Sequence, residues 1–333
     1  MKKSLIALAV LASTGAMAQS SVTLYGIVDA NLQSSKVDGG VRQTKLESGG
    51  VSGSRFGLKG SEDLGGGLKA LFVLEGGFSV DTGNNVDSDG VQKGIFNRQS
   101  YVGLAGNFGE VRLGNSTTAL DDINLLSNSV FDSILSPTNN VWVSNGFNAR
   151  PHNQIYYATP SFGGVTGAVS YALGENKATT STGKDRGVVA FNVQYAGGPL
   201  ALSLGYQSDK EIALPLIETA KYTIVNASYD LGVVKLLGSY GRAAADNYRA
   251  NEFHLGADVP VGAALVVSAG YAQSQDKIAG VKDDKRSGFA VGASYSLSKR
   301  TSVYTGYDRA QTKTVAGDKI KSNIYAVGVR HAF

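Results

Sequence analysis

Cysteine is absent from the 333 residues and proline occurs only six times. Without thiols no disulfide-stapled secreted scaffold is possible, so backbone pairing and packing must hold the chain together. Charge of one sign is also scarce. Lysine and arginine exceed aspartate and glutamate by 31 − 27 = +4, and Lys2 and Lys3 belong to a segment that is expected to be removed. So small a surplus argues against a nucleic-acid partner and against a polybasic membrane anchor. No segment approaches the ~20 apolar residues that a membrane-spanning helix needs. Nor is there a Pro/Ser-rich linker or a shift in composition, so one continuous architecture is expected.

What is present starts with MKKSLIALAVLASTGAMAQS: two lysines, an apolar run from Leu5 to Leu11, then Ala16-Met17-Ala18. This is the pattern of a secretory signal peptide spanning residues 1–18, cleaved after Ala18, with a single domain over 19–333. Forty-three glycines, 16 tyrosines and 12 phenylalanines favour many strands and tight turns.

Apolar residues recur at every second position in segments such as LALSLGYQ (200–207), VVAFNVQYA (188–196), ALVVSAGYAQ (264–273) and GFAVGASYSL (288–297). Period two places them on one face of a strand. Sixteen such segments begin near Val22, Ser52, Gly67, Ile95, Glu110, Asn153, Val165, Gly187, Leu200, Lys221, Val233, Asn251, Ala264, Ser287, Thr301 and Lys321. Short turns, as at Asn107-Phe108-Gly109 and Gly197-Gly198-Pro199, alternate with polar loops such as 81–93, 174–186 and 312–319. Short at one end and long at the other is the pattern of an up-and-down antiparallel sheet, and an even strand number suits a single-chain outer-membrane barrel.

The faces separate a barrel from a soluble sandwich. A sandwich shows water a charged face, whereas here the second face is Gly, Ala, Ser, Asn and Gln, with charge at strand ends and in loops. Small polar residues pointing inward leave room for water while the apolar face meets lipid. Tyr171, Tyr206, Tyr229, Tyr240, Tyr271 and Tyr307, near loop ends of the apolar faces, are expected to form an aromatic girdle. The alternation YAVGVRHAF makes the last segment the closing stave, pairing with the first. Tyr325, Val327, Val329, His331 and Phe333 would point out, and Ala326, Gly328 and Arg330 in.

Three stretches carry a resemblance: SGSRFGLKGSEDLGGGLKALFVLE (52–75), FNRQSYVGLAGNFGEVRLGN (96–115) and the terminal YAVGVRHAF. With SSVTLYGIVDANL (20–32) they resemble the trimeric general-diffusion porins of Gram-negative outer membranes, of the beta-proteobacterial and neisserial type. That resemblance implies a 16-stranded antiparallel transmembrane β-barrel, three per assembly, whose third loop folds into the lumen. The loop would run from about 116 to 152, with Leu, Ile, Phe and the sole tryptophan, Trp142. After Gly114 the chain departs from the family's Tyr-Thr-Pro-like pattern and reads Asn-Ser-Thr-Thr-Ala. The resemblance also implies that Phe333 is read by the barrel-assembly machinery and that lipopolysaccharide surrounds the barrel.

A diffusion pore works through width and charge at its narrowest level. In SRFGLKG, Phe56 and Leu58 must face lipid, so Arg55 and Lys59 point into the lumen. Arg112, between Val111 and Leu113, does the same. Arg98 shares parity with Phe96, Val102 and Leu104, and the resemblance puts it on the lumen wall. Across from this wall the in-folded loop would bring Asp121, Asp122 and Asp132, with Arg150 near its end. The expectation is a passive channel for small hydrophilic solutes and inorganic ions with a mild anion preference, needing no cofactor or metal. The bland alternative for these charges is ordinary salt bridging inside the barrel.

Other readings are weaker. His152, His254 and His331 are far apart for a metal site or a catalytic dyad. DSDG (87–90) lacks calcium-loop spacing, and neither GLKGSEDLGGG nor TGK (182–184) opens a helix that could cradle phosphate. A barrel enzyme would need a Ser/His/Asp set at one rim. An adhesin or structural barrel, closed by its own loop, remains the other alternative.

Overall fold

The computed structural model describes residues 21–85, 94–124, 126–174, 187–210 and 219–333. The proposed signal peptide, the 87–90 and 182–184 motifs and much of loops 81–93 and 174–186 lie outside the described residues.

Among the described residues seventeen strands form one closed antiparallel sheet. They are β1 (Ser21–Val37), β2 (Gln43–Ser48), β3 (Arg55–Gly65), β4 (Leu68–Gly77), β5 (Gln99–Gly106), β6 (Gly109–Asn115), β7 (Gln154–Ala158), β8 (Val165–Ala172) and β9 (Val188–Gly197). After these come β10 (Leu200–Asp209), β11 (Ala220–Asp230), β12 (Lys235–Ala245), β13 (Tyr248–Val261), β14 (Leu265–Ile278), β15 (Val281–Ser296), β16 (Thr301–Lys313) and β17 (Lys319–Ala332). Two of them are halves of one stave. β1 pairs with β2 through Ala30↔Ser48 and with β3 through Ile27↔Arg55, so the barrel has the expected sixteen staves, the second broken at 49–54. Closure comes from β17 against β1, in register from Ile27↔Ala332 to Val37↔Ser322.

The break is held by a carboxylate. Asp29 is fully buried and accepts hydrogen bonds from the amides of Gly50 (3.2 Å), Val51 (3.0 Å) and Ser52 (2.8 Å) and from the Tyr304 hydroxyl (2.5 Å). These donors lie off the ladder, and a buried N–H must find an acceptor elsewhere.

Two connections differ from the expected long polar loops. β12–β13 and β14–β15 close through two residues each, Asp246-Asn247 and Ala279-Gly280, with positive φ at Asp246 (44°), Ala279 (49°) and Gly280 (82°). Positive φ in a two-residue turn matches strand twist. The strands therefore extend further than expected, β13 beginning at Tyr248 rather than near Asn251, and β15 at Val281 rather than near Ser287. Polar residues on both faces hide such extensions from a period-two search, because above the membrane both faces meet water.

The outward face is apolar, with Leu32, Leu58, Val102, Leu113, Ile155, Leu204 and Val329 all exposed. Cross-strand registers align Phe191, Tyr206, Tyr240, Phe253, Tyr271, Phe289, Tyr307 and Tyr325 in one row from β9 to β17. Neighbouring rings meet at 5.6 Å (Phe191–Tyr206), 6.3 Å (Phe253–Tyr271), 6.0 Å (Phe289–Tyr307) and 4.6 Å (Tyr307–Tyr325). Tyr229 is a correction to the expected girdle. It pairs with Leu200 at the short-turn end, on the opposite rim from Tyr206. Phe333 closes the seam there: its backbone exchanges bonds with Gly26 (3.1 and 3.2 Å) and its ring lies over that glycine's bare Cα.

Inside, the segment between β6 and β7 folds into the lumen as short helical turns at Asp121–Asn124, Val130–Asp132, Pro137–Val141 and Ser144–Gly146. Its Leu120, Ile123 and Phe147 pack on Ala190, Ile224, Ala243 and Ala250. Val130 and Leu135 pack on Ala290 and Ala326, and Val141 and Trp142 on Ala272 and Ala310. The small inner face expected to leave room for water thus seats the loop along β9–β17. Polar groups of the same wall bond the loop backbone: Asn192 and Asn226 donate to the carbonyls of Ala119 and Ile123 (2.5 and 2.7 Å), and Glu252 accepts from the amides of Val143 and Ser144 (2.5 and 3.0 Å). At its far side, Ile134 N–H donates to the Gly50 carbonyl at 2.8 Å.

Glycine is required where the loop lies closest. A Cβ on Gly241 would come within 2.6 Å of Ser144 Oγ and 2.8 Å of the Trp142 ring. Gly241→Val is therefore expected to displace the loop around Trp142. As that is the sole tryptophan, its emission should shift to the red and become accessible to aqueous quenchers. An unchanged spectrum would refute this seating.

Candidate constriction of the lumen

Docking the loop on β9–β17 leaves the passage against the opposite wall, β1 and β3–β6, where Arg55, Arg98 and Arg112 lie. Alternation on β3 sends Arg55 inward, opposite Gly77. Arg98 sits just before β5, outside the ladder, and this explains its ambiguous parity. Its amide bonds the Glu75 carbonyl (3.1 Å) and its Nε donates to Glu75 Oε1 at 2.7 Å. Gly77 and Gly53, whose missing side chains face the Arg98 stem and guanidinium, provide the space.

Glu75 is the residue that the sequence reading omitted. It is 4% exposed, bonded to Arg98 and to the Tyr25 hydroxyl (3.0 Å). Alternation with Phe72 and Leu74 outward on β4 could have found it. The charges acting most on Arg55 are Arg98, Glu75, Arg150 and Arg330. Arg330 lies opposite Asp29 in the β1–β17 register and donates from Nε to Ser52 Oγ at 3.0 Å. Four guanidinium groups thus share one region with Glu75 and with Asp121, which Arg150 reaches at 3.4 Å. Like charges repel, so their aggregation around fewer acids leaves a positive surplus at the wall.

Arg112 forms a second station. It stacks over Tyr156 (4.5 Å) and Tyr101 (5.2 Å) and donates to Glu110 at 2.5 Å. Its charge is partly spent within the wall, as the salt-bridging alternative requires. Lys59 faces the lumen but lies four residues nearer the short-turn end than Arg55, ~13 Å along the strand, with its ammonium 5.2 Å from the Tyr25 ring. It does not join the arginine group.

The three loop aspartates divide. Asp121 pairs with Arg150. Asp122 accepts from the Tyr156 hydroxyl (2.6 Å) and from Thr117 (3.1 Å), so it buttresses the loop against β7. Asp132 accepts from Asn128 (2.8 Å) and Asn139 (3.3 Å) within the loop and has no arginine partner among the described residues. Burial pushes Asp122 and Asp132 up to about 6, their hydrogen bonds opposing it, and it raises Asp121 too, against the pull of Arg150 and Arg98.

The histidines are dispersed: His254 bonds loop Ser129 (2.9 Å), and His331 bonds Thr301 (2.8 Å) on the outer face. Among the described residues no three His, Asp or Glu side chains gather for a metal.

The description of Gram-negative porins matches residues 4–315. Over the full length of both chains the protein is 38% identical to outer membrane porin protein 32 of Delftia acidovorans and 32% identical to the major outer membrane protein P.IB of Neisseria gonorrhoeae. The solved anion-selective porin from Comamonas acidovorans superposes with a TM-score of 0.80 at 33% identity, covering 95% of this chain and all of that one. The chain belongs to the Gram-negative porin family, as a passive diffusion channel of the outer membrane.

Proposed function

We propose that this channel prefers small anionic and neutral hydrophilic solutes, and that the preference is set by Arg55, Arg98 and Arg150 at the constriction. Arg112 and Lys59, both displaced in register toward the short-turn end, contribute from outside this group. The observation that carries this reading is the surplus of guanidinium groups around Glu75 and Asp121. A guanidinium stays charged in a confined pore and presents paired donors to carboxylate or phosphate. The likeness to a porin described as anion-selective supports the same sign. Solutes pass without bond making or breaking, so the chain acts as a channel and not as an enzyme.

The assembly we infer is a homotrimer. From β3 to β8 the outward aromatics Phe56, Phe72, Tyr157 and Tyr171 are scattered among aliphatic residues and do not form the continuous row of the other arc, which suits contact with partner barrels. Residues 1–18 would be the leader removed on export, and Phe333, 44% exposed, the residue offered to the assembly machinery.

A planar-bilayer recording tests this function. Discrete conductance steps in threes and a reversal potential of anion-selective sign are expected; a cation-selective reversal potential would overturn the proposal. The same recording reads the loop carboxyls. As pH falls through about 6, Asp122 and Asp132 take up protons and the lumen loses negative charge, so the anion-to-cation permeability ratio should rise between about pH 7.5 and about pH 5. The docked loop should tighten over the same range. A raised carboxyl stabilises the folded form fully below its unfolded value and loses that contribution as pH climbs through its folded one. A flat ratio would remove both residues from the selectivity argument.

A further inference from the structure

A recess of about 500 Å³ opens beside the break in the second stave. It is lined from the wall by Gln33, Gly50 and Gly53 and from the in-folded loop by Asp132, Asn139 and Asn140. Asp132 reaches it through a rare backbone conformation. Val130, Phe131 and Asp132 all have positive φ (56°, 63° and 51°), a left-handed run that residues with side chains avoid, β-branched ones most of all. Two clasps on the wall hold it: the Val130 amide donates to Ser268 Oγ at 2.7 Å, and Ser129 Oγ bonds His254 Nε2 at 2.9 Å. Strain kept in place by its surroundings clusters where a side chain is aimed at a ligand.

The groups left unfilled in the recess are acceptors. Asp132 Oδ1 takes the amides of both Asn128 and Asn139, while Oδ2 has no donor among the described residues. Asn140 turns its Nδ2 to the carbonyls of Ile134 (2.9 Å) and Ser136 (3.2 Å), which leaves its Oδ1 for a donor from outside. Asn139 is already satisfied, its Oδ1 accepting from Asn145 at 3.2 Å. An ammonium group has three donors and no acceptor, and it also carries the charge that Asp132 lacks a partner for. On the wall side stand cations: Arg98 Nη1 lies 3.5 Å from where a Cβ on Gly53 would be, and Arg330 bonds Ser52 at 3.0 Å.

From this geometry we infer that the recess is a resting site for solutes with both a primary ammonium and a carboxylate, namely amino acids and short peptides. The ammonium lies on Asp132 and Asn140, and the carboxylate turns to Arg98. The inference rests on the anion-accepting wall proposed above and extends it to solutes that the wall alone disfavours. A surplus of guanidinium groups repels an ammonium, and the unpaired acid facing the same recess offsets that repulsion.

Occlusion of the open-channel current tests this, with the channel in planar bilayers at low salt and about pH 7.5. The probes are glycylglycine and N-acetylglycine, which are similar in size and differ in the ammonium. Glycylglycine should occlude the parent at the lower concentration, although the arginine wall by itself would rank the net anion first. D132N keeps an Oδ1 for Asn128 and Asn139 but loses the charge. It should raise the half-occluding concentration of glycylglycine about fivefold, the worth of one ion pair in water, and leave that of N-acetylglycine unaltered or lower. The order of the two probes then inverts. Trp142 emission matching the parent's shows the loop still seated in D132N; where it shifts, the ranking of the probes on the parent decides alone. N-acetylglycine ranking first on the parent would overturn the inference, as would an equal response of parent and seated D132N to glycylglycine. The reversal potential in potassium chloride reports on the wall separately: a cation-selective value sinks the anion reading whatever the probes do.

Discussion

Arg98→Ser is expected to lower the anion-to-cation permeability ratio about twofold in 0.1 M salt. The change removes one cation from the wall and leaves Glu75, now bonded only to Tyr25, as a carboxylate that Arg55 must neutralise. Glu75 was neutralised by Arg98 in the parent, so the net loss to the passing ion is one positive charge. At ~8 Å in water a unit charge is worth about 0.5 kcal/mol, with opposite signs for anions and cations, and a Debye length of about 10 Å screens it by about half. The effect should shrink as salt is raised. Glu75→Gln should move the ratio the other way, by about twofold, since it releases Arg98 and Arg55 toward the lumen. If reversal potentials of both variants match the parent, the wall charges are structural salt bridges and the selectivity proposal is wrong.

Asp29→Ala is expected to weaken the barrel by about 4 kcal/mol, at about 1 kcal/mol for each of the four donors it leaves without an acceptor. It should also loosen the constriction. Asp29 holds Gly50, Val51 and Ser52 in the break of the second stave, and the Gly50 carbonyl holds Ile134 of the in-folded loop. Open-channel current noise should therefore rise together with the loss of resistance to denaturant. Asp29→Asn keeps one acceptor oxygen and should lie between. A variant that unfolds like the parent and conducts as quietly would show that the loop is anchored wholly by the β9–β17 wall.

Much of the fold was legible because period two is local. Phe56 and Leu58 must avoid water, and that alone turns Arg55 and Lys59 inward; the same reasoning placed Arg112 and the run from Tyr325 to His331. It failed at Arg98, which lies outside the ladder and has no parity to read. It also failed at the hairpins of β13 and β15, where polar residues occupy both faces. Glu75 was within reach of the same alternation but is an acid on a wall sought for its bases. Tyr229 was placed at the wrong rim because alternation tells in from out and not top from bottom.

The chain by itself determined sixteen staves, the side of the sheet to which each strand residue points, and the position of the one long connection able to enter the barrel. These depend on neighbours in sequence, on the pleat and on the insolubility of apolar side chains in water. Only the closed barrel decided which inward residues are covered and which meet the passage. The alanines and glycines of β9–β17 receive the loop because its Leu120, Ile123, Leu135 and Trp142 need an apolar floor, and that leaves the arginine wall open. Asp29, Ser52 and Tyr304, or Glu75 and Arg98, meet only when distant staves are brought together. Contacts of that kind follow from closure and not from any local period.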